Sequence, residues 1–286
     1  MACVTTAEQF TDPVAFHAEG PVWSPSWGGL RYVDMFVGDV LCVDSDGAVI
    51  RRNVGKIAAA LRPRARGGAV IAVERGFVLE EPDGQLRELP QVWQDATVRM
   101  NDGGCDPQGR FYCGSMAYDQ APGRGSMYRL DPDGSSSFVF GGTTISNGLD
   151  WSPDGRTAYF NDTPTRRIDA FDYDPETGFS NRRPFVEIPE GKGFPDGLTV
   201  DAEGCVWVAL YAGSAVHRYR PDGALDGVVE VPVTQVTACA FGGDHLDTLF
   251  VTTTRENLPA DAQPQAGAVF SCRPGARGRP VNAFAG

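Results

Sequence analysis

Apolar and polar residues alternate with a period of two in short runs such as VWVALY (206–211) and AVHRYR (215–220). That is the pattern of half-buried strands. Gly or Pro interrupts nearly every longer window, which leaves little room for helices. Even the most helix-like stretch, GKIAAALRPRARGG (55–68), reads as strand followed by loop. Three segments have the form strand, tight turn, strand: VWSPSWGGLRYVD (22–34), LDWSPDGRTAYFND (149–162) and LTVDAEGCVWVAL (198–210).

A second class of turn follows each such unit: DSDG, EPDG, DPDG, DPETG and RPDG, ending at Gly47, Gly84, Gly134, Gly178 and Gly223. Successive glycines stand 37, 50, 44 and 45 residues apart. A repeat near 45 residues with about four strands per unit is the signature of propeller blades. A chain of 286 residues accommodates six. The expected architecture is therefore all-β, a single six-bladed β-propeller of four-stranded blades around a central channel, spanning 1–286 with no linker. Residues 3–10 are expected to pair with 268–273 and close the ring.

Aligning the units brings one oxygen-bearing side chain to the same place in four of six repeats. These are Glu19 before PVWS, Asn101-Asp102 before CDPQG, Asn147 before LDWSPDG and Asp196 before LTVDAEG, at spacings of 82, 46 and 49. The blade between the first two offers Arg64 or Arg66, and the last a position near Thr237. N-G and D-G are also ordinary turn dipeptides, and each pair alone favours that reading. Four in register place two carboxylates and two amides together at the axis. Buried carboxylates repel unless compensated. Oxygen ligands of this kind suit Ca²⁺, Mg²⁺ or Mn²⁺, with Zn²⁺ also admissible.

Composition narrows the function. The chain carries 35 Gly and 21 Pro, a formal charge of −12 and a pI near 4.7. Such acidity excludes nucleic acid as a natural partner, although solubility alone accounts for it. No run approaches the ~20 apolar residues of a membrane span. Met1 to Phe10 has no basic start followed by an apolar stretch, which points to a cytoplasmic protein. The seven Cys are scattered without a CxxC pair, the usage of reduced thiols and not of a cysteine zinc site. No G-x-S-x-G elbow, phosphate loop or dinucleotide fingerprint is present. Of three His, His217 reads as structural and His245, after GGD, as a turn residue. His17 lies two residues from Glu19 and on a strand could face the same way, though a rim or packing role is the ordinary reading. Trp23, Trp151 and Trp207 read as core.

Four ordered segments, AEGPVWS (18–24), RMNDGGCDPQGRFYCGSM (99–116), SNGLDWSPDG (146–155) and FPDGLTVDAEGCVWVA (194–209), resemble the regucalcin/gluconolactonase (senescence marker protein) family. FDYDPETGFSNRR (171–183) and CAFGGDHLDTLFVTT (239–253) extend the similarity from about residue 15 to the C-terminus. The resemblance implies hydrolysis of a small sugar lactone, such as a glucono-, xylono- or arabinonolactone, with one divalent ion (Ca, Zn, Mn, Mg or Fe). It implies Glu19, Asn147 and Asp196 as metal ligands, Asp196 also as general base, and Arg99, Asn101 and Asp119 as substrate contacts. The expected partner is the small-molecule lactone, with no nucleic acid and no membrane, on a monomer or weak homodimer. Three positions depart from animal members: Asp119 stands for a Glu, Gly104 for a Lys, and His17-Ala18 for an apolar-Gly pair. They leave the ligands intact and bear on which lactone is taken. The competing readings are a non-sugar lactone or ester hydrolase on the same metal site, and a non-catalytic calcium-binding propeller. The repeat supports the propeller and its acidic axis; hydrolysis comes from the resemblance.

Overall fold

The computed structural model describes residues 3–44 and 47–286. It contains six sheets arranged as a six-bladed β-propeller; in blades one to four the antiparallel strands run outward in chain order, and in the last two an N-terminal strand is added at the outer edge. The innermost strands are Ala18–Ser24, Ala58–Pro63, Val98–Cys105, Ser146–Trp151, Phe194–Val200 and Val236–Gly242. Each packs on the next, and the sixth packs back on the first, so a closed ring surrounds the axis. Blades are numbered one to six in this order.

Both classes of turn lie where the repeat placed them. The glycines of the second class join the third and fourth strands of blades one to five, as in Gly76–Glu80 to Leu86–Glu88 and Gly125–Leu130 to Ser136–Thr143. Gly84 and Gly134 take φ of 86° and 88°, a left-handed conformation that side chains with a Cβ rarely adopt. The first of these turns, DSDG, lies partly outside the described residues, at Ser45 and Asp46.

In blades three and five the first-to-second-strand turn is held by a buried aspartate. Asp201 Oδ1 accepts the amides of Glu203 and Cys205, each at 2.9 Å, and its Oδ2 accepts Trp207 Nε1 at 2.9 Å and Arg218 Nη2 at 2.8 Å. Asp106 does the same with Gln108, Arg110 and Tyr173. Apolar side chains fill the wedges between blades. Trp151 and Trp207 are fully buried, but on the first strand of blade four and the second strand of blade five, so they are not equivalent in the repeat. Trp23 is partly buried and stacks on Phe250 at 5.8 Å.

Closure is more elaborate than expected. Glu8–Gln9 pairs with Phe270 and Ser271, as anticipated, and completes blade six. Cys3–Thr6 does not join it. That segment adds a parallel fifth strand to blade five, against Gly227 to Glu230, so one short stretch staples two blades together. Thr237 Oγ1 donates to Ala18 O at 2.6 Å and ties blade six to blade one at the axis. The C-terminal segment then crosses beneath the ring. Gly278 N donates to Leu246 O, Arg279 to Val200 O and Trp151 O, Asn282 to Cys105 O, and Phe284 N to Pro63 O. Five consecutive blades, six to two, are touched in turn.

This arrangement corrects one expectation about the axis. Arg64 and Arg66 are not axial. Arg64 lies at the far end of its strand, where its Nε donates to Gly286 O at 2.8 Å and its Nη1 pairs with Glu81. Arg66 lies in the exposed turn beyond it. The residue of blade two left out of the ladder with the second strand is Ala59, buried in an apolar cluster.

Phe284 is completely buried among residues of blades two and three. Phe284→Ala should destabilise the protein by about 3–5 kcal/mol, measured by urea denaturation. Phe138→Ala, on a side chain 62% exposed, should change stability by less than about 0.5 kcal/mol.

Candidate active site

One irregularity recurs in all six inner strands. The ladder with the second strand slips between Glu19 and Val22, Ala58 and Ala60, Met100 and Gly103, Asn147 and Leu149, Pro195 and Leu198, and Val236 and Ala238. A bulge of this kind bends the strand and re-aims the side chains at the slip. In blades one, three, four and five these are Glu19, Asn101, Asn147 and Asp196. All four are at least 94% buried, and all line one cavity of about 290 Å³ at the end of the axis where the inner strands begin.

The glycines of the N-G and D-G pairs are there for close approach and not for turns. Neither Gly148 nor Gly197 has a positive φ. A Cβ on Gly148 would stand 2.7 Å from Asp196 O, and one on Gly197 would stand 2.5 Å from Ala238 Cβ. Inner strands four and five, and five and six, can therefore converge only with glycine after the functional residue.

A directed chain of hydrogen bonds orients the amides. Arg99 Nη1 donates to Asn101 Oδ1 at 2.7 Å. Asn101 Nδ2 donates to Asn147 Oδ1 at 3.1 Å and to Ser146 O at 2.9 Å. Asn147 Nδ2 donates to Thr163 Oγ1 at 2.8 Å, and that hydroxyl donates to Pro195 O at 2.9 Å. Each link fixes the next, so Asn147 directs its carbonyl oxygen toward Asn101 and its amino group toward Thr163. The Arg99 guanidinium lies over the rings of Phe36 and Tyr118, at 5.2 and 5.9 Å, as cation–π contacts.

The carboxylates are frustrated. Glu19 Oε2 accepts only the amide of Gly20 at 3.0 Å, and Asp196 Oδ1 has no hydrogen-bond partner among the described residues. Burial, and then the charge of Asp102, push the Glu19 carboxyl well above its usual range. Burial, Glu19 and Asp102 do the same to Asp196. Asp102 faces the other way, into a separate cavity of about 70 Å³ along the axis that it shares with Arg62.

Two mutually repelling acids, an orphaned carboxylate oxygen and an oriented amide oxygen form a donor set of hard oxygens. A divalent cation fits that set and would allow both acids to ionise.

A second group of possible ligands, Asp201, Glu203 and Cys205, comes together at the turn in blade five. It needs no cation, because Arg218 bridges Asp201 and Glu203.

Two placements differ from the sequence reading. Asp119 is exposed and caps its own turn, its Oδ1 accepting Ala121 N at 3.0 Å; its neighbour Gln120 lines the cavity. His17 does enter the cavity, alongside Glu256, which the repeat had not singled out. Glu256, Thr163 and Gln120 lie just beyond the second strand of their blades, and Tyr211 is the last residue of its own. Reading that register of the repeat in the same way as the bulge would have found them.

The SMP-30/gluconolactonase/LRE-like family model matches residues 17–255. The chain is 37% identical to the pentonolactonase XacC of Haloferax volcanii, over 96% of this chain and 97% of that protein. It is 37% identical to the regucalcin of Oryctolagus cuniculus, over 94% of each. Its fold superposes with a TM-score of 0.92 on a solved calcium-binding regucalcin from Agrobacterium tumefaciens, at 29% identity over 99% of both chains.

Because Glu19 and Asp196 bind protons more tightly folded than unfolded, the metal-free protein should lose stability as pH rises from the ordinary carboxylate range, about 4, through their raised values. Thermal melts in chelator across this window should show the fall. Glu19→Gln, which removes the mutual repulsion, should flatten it.

Proposed function

The chain belongs to the SMP-30/gluconolactonase/LRE-like family, and we propose that it is a divalent-metal-dependent lactonase that opens a small aldonolactone, of the glucono-, xylono- or arabinono- type, to its hydroxy acid. The observation that carries this reading is the meeting of two frustrated, buried carboxylates with the Arg99–Asn101–Asn147 donor chain in one solvent-connected cavity.

Glu19, Asn147 and Asp196 would hold the ion. Calcium is the first to test, since the Agrobacterium relative is a calcium-binding protein. When bound, the ion supplies Lewis-acid polarisation of the ester carbonyl and acidifies a water. The chain's own residues supply the rest. Asp196, through the carboxylate oxygen not engaged with the ion, takes the proton of the attacking water. Water oxygen bonds to the carbonyl carbon, the ring C–O bond breaks, and the ring oxygen leaves as a hydroxyl with a proton returned to it. Lactone and one water thereby give one hydroxy acid. Arg99 and Asn101 donate to substrate oxygens and to charge developing on the carbonyl oxygen. Phe36 and Tyr118 keep the Arg99 guanidinium in place for this.

A second reading has its own support. Met116, Ile145, Pro164 and Phe194 form an apolar part of the wall, which also suits a less hydroxylated lactone. A panel of lactones assayed across several metals separates the two. The sugar reading expects a hydroxylated lactone to be the fastest; a hydroxyl-free lactone that outpaces every sugar lactone overturns it.

Chelation should abolish hydrolysis, and one divalent ion should restore it. Asp196→Ala in metal-loaded protein should lower kcat by about 10²–10⁴-fold; an unchanged rate overturns the scheme.

A further inference from the structure

The cavity wall formed by blades one and six contains a couple that the hydrolytic scheme leaves unused. Thr254 forms a bridge with His17, and its hydroxyl accepts the amide of Glu256 at 2.9 Å while lying 3.1 Å from Phe16 O. The carbonyl can only accept, so the Thr254 proton points there. His17 Nδ1 stands 2.9 Å from the same hydroxyl and 3.3 Å from Glu256 Oε2. Facing two acceptors, Nδ1 carries a proton, and the imidazole is fixed with Nε2 toward the axis, 3.9 Å from Glu19 Oε1. The ring is packed against Phe36 at 4.4 Å.

Glu256 is thus anchored on one side by a buried N–H donor, with its side chain still 30% exposed at the cavity. Burial raises its carboxyl, but His17 and Arg99 outweigh that and hold it below the usual range. It is therefore an anion available to accept hydrogen bonds. Arg99, on the same cavity, can only donate. Asp119, the sequence candidate for an acidic contact, is occupied with its own turn.

Building on the lactone reading of this cavity, we infer that Glu256, positioned by His17, is the acceptor that reads substrate hydroxyls, and that with Arg99 as donor it selects polyhydroxylated lactones over hydroxyl-poor ones. A hydroxyl donating to a carboxylate forms one of the stronger neutral-to-ion hydrogen bonds. A site built around such a bond leaves the carboxylate unsatisfied when the hydroxyl is missing, which is an effective basis for rejection. Glu256 contacts substrate in this scheme; His17 acts through Glu256.

The test compares wild type, Glu256→Gln and His17→Gln, each metal-loaded and checked for an unchanged melting profile. D-glucono-1,5-lactone and δ-valerolactone serve as hydroxylated and hydroxyl-free substrates. Glu256→Gln should raise KM for the gluconolactone about tenfold with kcat reduced less than threefold, and so lower the preference for it over valerolactone by about tenfold. His17→Gln should move the preference the same way by a smaller factor, through KM. Equal losses on both substrates, or an unchanged preference, overturn the inference. Calorimetric binding of 1,5-anhydro-D-glucitol, a cyclic polyol that cannot be hydrolysed, tests Glu256 independently of catalysis. At least fivefold weaker binding to Glu256→Gln is expected, and equal affinity, or no binding to wild type, overturns it. If wild type opens neither lactone, the proposed function fails, while the polyol result still decides the role of Glu256.

Discussion

Everything at the centre of this molecule answers to one electrostatic conflict. Glu19 and Asp196 are buried, close enough to raise each other's proton affinity, and held in a ring that cannot open to separate them. In an open sheet, such a pair would be relieved by strand splaying and hydration. Here Thr237 locks blade six to blade one, Asn161 Nδ2 ties blade four to Asp196 O at 2.6 Å, and Asn101 ties blade three to Ser146 O. The ring's stability is what keeps the repulsion in place. The repulsion in turn makes the site a receptor for positive charge.

Much of this was legible in the chain because the fold is a repeat. The spacing of the x-D-G turns gave the blades, and the register of Glu19, Asn147 and Asp196 gave the convergence. The features that escaped notice depend on contacts distant in sequence. Nothing local marks Phe284 as a core residue of blades two and three, or Cys3–Thr6 as a guest strand of blade five. Arg64 was misplaced because a strand bulge cannot be located from composition. The slip in blade two falls at Ala59, which has no polar side chain to reveal it. Asp119 and Glu256 illustrate the same limit. One is sequence-adjacent to a lining residue yet exposed, and the other is far from every motif yet faces the cavity.

The departure at Gly104 has a structural counterpart. A Cβ there would stand 2.7 Å from Leu149 O and 3.3 Å from Arg62 Nη2, so any side chain would have to displace the guanidinium. Arg62 therefore brings a positive charge from blade two to a spot beside Asp102, where it lowers an acid that burial otherwise raises. The cavity on the far side of the axis sets Asp102 beside Arg62 and pairs Asp150 with Arg279, whereas the other sets Glu19, Asp196 and Glu256 against Arg99. That contrast is why a cation belongs in one and not the other.

The six strand bulges also separate two kinds of information. The slip leaves Ala59, Asn101, Asp196 and Thr237 out of the ladder, whereas Glu19 and Asn147 stand at its edge and keep Val33 and Asn161 as partners. The ladder on either side is maintained by backbone groups alone and is indifferent to what is displayed there. The propeller is in this respect a six-position display, with acid, methyl, amide, amide, acid and hydroxyl now shown in order by Glu19, Ala59, Asn101, Asn147, Asp196 and Thr237. Asn101 and Thr237 also tie neighbouring blades through their side chains, so not every position is free to change. Ala59, buried in an apolar cluster, is the position where the repeat carries no polar chemistry of its own.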